Sequence, residues 1–140
     1  MRFWDASALV PLCAQEAGTP LVRVLQEQDP DIVAWWGSPI ECLSALRRVI
    51  RMGQLDEAGA VAPRACLNSL WRTVVQVAPT EQVRTRAARL LAAYPLRAAD
   101  AFQLGAALVW AQDRAADHEF VCLDDRLREA ARQEGFSVLP

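Results

Sequence analysis

The chain has 140 residues, 53% of them hydrophobic, and a formal net charge of −2, which suits one domain (residues 1–140) burying roughly two thirds of its unfolded surface. All fifteen basic residues are arginine and the one histidine, His118, stands just ahead of a strand, which excludes a Walker-A phosphate loop and Schiff-base chemistry and leaves little for a catalytic triad. No apolar run reaches membrane-spanning length and no basic-then-apolar leader opens the chain, so a cytoplasmic protein without membrane association is expected.

In chain order, Arg2–Phe3–Trp4–Asp5 reads as a first strand, and Ser7 can cap a helix through Ala8, Leu9 and Val10. A second helix spans Thr19 to Gln28 with Leu21, Val22 and Leu25 on one face, ended by Asp29–Pro30. Ile32–Val33–Ala34 is a short strand. Ser38–Pro39–Ile40–Glu41 then opens a helix with a cap, a proline at the first position and a glutamate three residues on. That helix runs to Met52 and stops at Gly53. The next covers about Asp56 to Trp71, with a kink or break expected at Pro63.

Thr73 to Val77 is a third strand, and Thr80 to Tyr94 is a helix with Val83, Ala87, Leu90 and Leu91 on its apolar side. Arg97 to Asp113 is small and apolar almost all round, which predicts a buried helix. Glu119 to Asp124 is a strand, Asp125 to Gln133 a helix closed by Gly135, and Phe136 to Leu139 a last strand. Strands alternating with helices predict an α/β protein with a mostly parallel sheet flanked by helices. Cys13, Cys42, Cys66 and Cys122 all sit in apolar segments without close spacing, and read as buried reduced thiols.

Four carboxylates fall where these segments should converge. Asp5 and Asp124 end strands, Glu41 lies in the first turn of its helix, and Asp100 opens the helix after Pro95. Each has a plain structural alternative. Asp5 or Ser7 can cap the following helix, and Glu41 can complete a capping box with Ser38. Asp100 can pair with Arg97 three residues earlier. Of the adjacent Asp124 and Asp125, Asp124 is the better ligand and Asp125 the better cap. Acids meeting at the strand ends of a parallel sheet imply a bound cation, and oxygen-only ligands suit Mg²⁺ or Mn²⁺ rather than zinc. Setting these four aside turns the net charge of −2 into +2, a balance that permits nucleic-acid contact. Arg48 shares a helix face with Glu41, and Arg97 precedes Asp100 by one turn; either can hold a phosphate.

In Asp5-x-Ser7-Ala8-Leu9-Val10, Glu41, Leu96–Arg97–Ala98–Ala99–Asp100–Ala101 and Phe120–Val121–Cys122–Leu123–Asp124, followed by Arg126–Leu127 and Gly135, the chain resembles PIN-domain ribonucleases. Within that superfamily it is similar to the toxins of VapBC-type toxin–antitoxin pairs. The resemblance spans nearly the whole chain. It implies a PIN-like three-layer fold and a Mg²⁺- or Mn²⁺-dependent endoribonuclease that cleaves RNA by water attack on a phosphodiester. Asp5, Glu41, Asp100 and Asp124 would be metal ligands, with Ser7 hydrogen-bonded beside them. A homodimer and a small antitoxin protein lying across the groove are also implied. The apolar residues Leu43, Leu46 and Ile50 either receive its hydrophobic anchors or belong to the core. Two positions depart from the family: Cys122, where it commonly has threonine or serine, and Pro63 in the middle helical region. Other readings of the same residues are a PIN-domain enzyme of ordinary RNA processing, a catalytically inactive PIN-like binding module, and a phosphotransferase with Asp5 as nucleophile.

Overall fold

Five short strands form one parallel sheet in the computed structural model, which describes residues 1–140. They are β1 (Arg2–Trp4), β2 (Ile32–Trp35), β3 (Val75–Val77), β4 (Glu119–Val121) and β5 (Ser137–Leu139), in the spatial order β3-β2-β1-β4-β5. Every neighbouring pair is parallel, with Phe3 opposite Val33 on one side and Phe120 on the other. Seven helices join the strands: α1 (Ala6–Cys13), α2 (Thr19–Gln28), α3 (Ser38–Arg51), α4 (Val61–Leu70), α5 (Glu81–Ala93), α6 (Ala98–Trp110) and α7 (Asp125–Gln133). The α/β class and the parallel sheet expected from the alternation of segments are therefore present.

The period-2 geometry of a strand divides the core in two. Phe3, Val33, Trp35 and Phe120 pack on one face with Val83, Ala87 and Leu90 of α5, the apolar residues of α6, and Leu127 and Ala130 of α7. Trp4, Ile32, Ala34 and Val121 pack on the other with Leu9 of α1, Val22 of α2, Cys42 and Leu46 of α3, and Leu67 of α4. Helices α1–α4 thus form one outer layer and α5–α7 the other. All four residues of β2 are buried, as a strand covered on both faces requires. Trp35 is inside, stacked on Phe102, while Trp36 beside it is 57% exposed. No helix is long and apolar enough to cross a membrane.

Several local expectations change. Asp5, not Ser7, caps α1: its side chain accepts the Ser7 backbone N–H at 2.9 Å, and Ser7 lies inside the helix. The Ser38 capping box does not form; Gly37 occupies the cap position and Ser38 is fully buried. Helix α4 begins only at Val61, so Pro63 sits in its first turn, where a missing N–H costs little, and the chain break falls ahead of it. Leu21 and Leu91 are 54% and 46% exposed, because α2 and α5 bury narrower stripes than their sequences suggest.

The cysteines also divide differently from the four reduced thiols expected. Cys42 and Cys122 are free and buried, but Cys13 and Cys66 form a disulfide between α1 and α4. The packing of these two helices brings their Cα atoms to 5.4 Å, inside the usual bridging range; a sequence separation of 53 concealed it.

Helices α5 and α6 cross closely at Gly105. A Cβ there would stand 3.1 Å from both the Ala87 nitrogen and the Val83 carbonyl oxygen. These are backbone atoms of a packed helix and cannot turn aside. Gly105→Val should therefore destabilise the fold by about 1–3 kcal/mol, the ordinary cost of overpacking, read as a lower denaturation midpoint in urea.

Candidate functional site

A cavity of about 670 Å³ opens at the carboxyl ends of β1, β2 and β4, and all four singled-out acids line it. The connections leaving β1 and β4 diverge to opposite sides of the sheet, so this is its topological switch point, where α/β sheets place ligands. The acids arrive on four helix N-termini. Asp5 is the N-cap of α1, and Asp124 is the N-cap of α7, accepting the Leu127 N–H at 3.0 Å. Glu41 and Asp100 lie in the first turns of α3 and α6. Asp5 and Glu41 come from one outer layer, Asp100 and Asp124 from the other.

Of the two expectations for Asp124 and Asp125, the cap is the one that changes, since Asp124 caps the helix and Asp125 is exposed in its first turn. Asp124 still faces the cavity, so capping and lining the site are compatible. Asp100 makes no ion pair with Arg97. It accepts that residue's backbone N–H at 3.0 Å, and the guanidinium is left at the cavity wall. Helix α6 is buried only from Ala101 onward, so Asp100 is half-buried rather than enclosed.

Ser7 joins two strand ends. Its hydroxyl donates to Asp5 Oδ2 and accepts the Leu123 N–H at 2.9 Å, so the segment after β4 is tied to the segment after β1. Cys122 Sγ stands 3.7 Å from both Ser7 Oγ and Asp5 Oδ2. The thiol fills the space beside the carboxylate as a weak donor, and Ser7 supplies the strong hydrogen bond.

No ion pair engages the four acids. The ion pairs of the molecule all lie elsewhere, and none includes Asp5, Glu41, Asp100 or Asp124. Burial pushes the Asp5 carboxyl above its usual range against the lowering effect of the Ser7 hydrogen bonds, and the Asp100 charge adds to the rise. Burial, then the charges of Asp5 and Asp100, lift Glu41 to about 7, opposed by a hydrogen bond from Gln103. No three His, Cys, Asp or Glu side chains form a ready-made metal cage.

Arg48 and Arg97 reach the same cavity, both exposed and neither in an ion pair. Two residues, one lining the cavity and one behind its wall, escaped the sequence reading. Glu16, in the α1–α2 loop, is a fifth acid at the rim, with its carboxyl raised by burial against the Arg48 charge; loop residues carry no periodic signal. Gln103 lies behind Glu41, and its signal was present: one long polar residue in the apolar run of α6. Leu46 is 4% exposed and belongs to the core, which removes it from the surface expected to receive a partner segment; Leu43 and Ile50 are only partly buried. His118 does not line the cavity; its ring packs against Trp110.

No protein-family model and no curated protein sequence matches the chain.

The Glu41 shift has a consequence for stability. An unfolded chain ionises Glu41 near the ordinary value of 4.5, whereas the folded chain holds the proton to about 7. Between those values the folded state binds more protons, so stability falls as pH rises across that window and then levels off. Denaturation of chelator-treated protein should give a lower unfolding free energy at about pH 8 than at about pH 5, and Glu41→Gln should reduce that difference, leaving the part due to the likewise raised Asp5.

Proposed function

We propose that the protein is a metal-dependent endoribonuclease that hydrolyses RNA phosphodiester bonds, of the PIN-domain type, and that it acts as the toxin of a toxin–antitoxin pair. The observation that carries this reading is the composition of one cavity: four carboxylates from four segments on its walls, with the unpaired guanidinium groups of Arg48 and Arg97 beside them. Carboxylates without cations suit a hard divalent ion, and free arginines suit a phosphate. The oxygen-only donor set, with two acids lifted by burial and mutual charge, fits Mg²⁺ or Mn²⁺.

In this reading Asp5, Glu41, Asp100 and Asp124 hold the ion, which when bound supplies Lewis-acid activation of water and neutralises charge on the phosphate. The chain's own residues do the rest. Ser7 fixes the Asp5 carboxylate through two hydrogen bonds, so that one oxygen edge is committed to the protein. The N–H groups of α1 and α7 hold Asp5 and Asp124 in the same way. Arg48 and Arg97 draw the RNA backbone toward the acids and offset their repulsion of the phosphate.

As a toxin the protein would work in the cytoplasm, where thiols are kept reduced and the Cys13–Cys66 bridge would stand open. It would form a homodimer, for which the exposed Trp36 and Ile40 offer apolar surface. A small antitoxin protein would block the cavity, an arginine among the carboxylates displacing the ion. A catalytically inactive binding module would share this cavity but not its chemistry. Its outcome is RNA binding that neither cleaves nor responds to chelator.

RNA incubated with the protein and Mn²⁺ or Mg²⁺ should be cleaved, and excess chelator should stop the reaction. Asp100→Asn should lower the rate by more than about a hundredfold, beyond what loss of an outer-shell partner costs, while circular dichroism stays that of the wild type. Undiminished cleavage in chelator or in this variant would overturn the assignment. Arg48→Ala should weaken RNA binding and reduce the salt dependence of that affinity by about one phosphate contact, measured by titration over a range of ionic strength.

A further inference from the structure

Gln103 is 1% exposed on α6, among the buried Ala101, Leu104, Gly105, Ala106, Ala107 and Leu108. Its Nε2 donates to Ser38 Oγ at 2.9 Å and to Glu41 Oε1 at 3.0 Å, both on α3. Its Oε1 is buried and has no hydrogen-bond partner. A buried amide with an orphaned oxygen is a poor choice for stability, because the desolvation of that atom is not returned. Methionine has the same length and would fill the space without that cost. The residue is therefore placed for what its amide nitrogen holds.

That nitrogen crosses between the two outer layers. Asp100 and Gln103 are three residues apart on α6, so they share a face, the acid at the cavity and the amide behind it. Across the gap, Glu41 and Ser38 have the same three-residue spacing on α3. Turning the amide over would set its oxygen against the Glu41 carboxylate, so the carboxylate itself dictates the orientation. A neutral donor suits the position, since an arginine or lysine there would cancel the charge that a cation needs. Only Oε1 of Glu41 is engaged, and no protein hydrogen bond reaches Oε2.

We propose that Gln103 is a positioning residue, whose amide holds the Glu41 carboxylate at the cavity wall and fixes its distance from Asp100 by tying α3 to α6. The inference rests on the metal-dependent reading of the cavity and adds to it a residue that touches neither ion nor substrate.

The test is Mn²⁺ affinity of the full chain, by paramagnetic resonance titration, beside the thermal midpoint of the metal-free protein. Gln103→Met should weaken Mn²⁺ binding about tenfold or more, the usual effect of removing an outer-shell partner, with the thermal midpoint unchanged or raised. In a Glu41→Ala background the same substitution should cost nothing further, because the carboxylate it positions is gone. Gln103→Asn, too short to reach α3, should show the same loss of Mn²⁺ affinity and guards against a packing effect peculiar to methionine. A lower thermal midpoint with wild-type Mn²⁺ affinity in both variants would show a merely structural amide and overturn the proposal while leaving the metal reading intact. Failure of the wild-type protein to bind Mn²⁺ would overturn both.

Discussion

Like charges gathered in one cavity, none of them in an ion pair, are the constraint around which this molecule is arranged. A parallel sheet collects the amino ends of its following helices at one edge, and here α1, α3, α6 and α7 each bring a carboxylate to it. Cap and first-turn positions are where a helix tolerates negative charge best, each worth about 0.3–1 kcal/mol at an exposed site. That offsets part of the repulsion. Burial first, and then the neighbouring charges, raise the proton affinities of Asp5 and Glu41. Local backbone chemistry and the chemistry of the cavity thus draw on the same side chains, and capping does not exclude a carboxylate from acting in the site.

The cavity also sits between layers rather than within one. Asp5 and Glu41 come from the α1–α4 side, Asp100 and Asp124 from the α5–α7 side, and the sheet edge lies beneath them. Two cross-links hold these sides in register at that edge. Ser7 ties the end of β1 to the end of β4, and Gln103 ties α6 to α3. Both are directional polar contacts, which specify geometry more sharply than apolar packing alone. A ligand cation in the cavity would be a third link between the same layers, which is how binding at such a place stabilises a fold.

The α/β class, the order of elements and the four acids were legible in the sequence because each leaves a local signal. Apolar alternation marked the strands, helical spacing marked Val83, Ala87 and Leu90, and Gly53 and Gly135 marked helix ends where φ is positive. The acids were visible because strand ends and helix starts are recognisable places. What local signals cannot give is the choice among partners in space. Ser38 looked like a cap and is instead a buried acceptor for Gln103; Arg97 looked like the partner of Asp100 and offers only its backbone N–H. Short-range rules rank the partners a residue could have, and tertiary packing selects one.

The sequence by itself determined which residue types could meet: carboxylates at four element ends, arginines without lysine, and a sheet buried on both faces. Only the tertiary structure decided that the four acids share one cavity with Arg48, Arg97 and Glu16, that Gln103 stands behind Glu41, and that Cys13 meets Cys66. The physical reason is the range of the forces concerned. Periodicity, capping and turn chemistry act over a few residues and are written along the chain. Charge repulsion, hydrogen bonds between layers and a disulfide act through space, between residues far apart in the chain: 53 positions for the disulfide, and 62 to 116 for the hydrogen bonds of Gln103 and Ser7 across the layers.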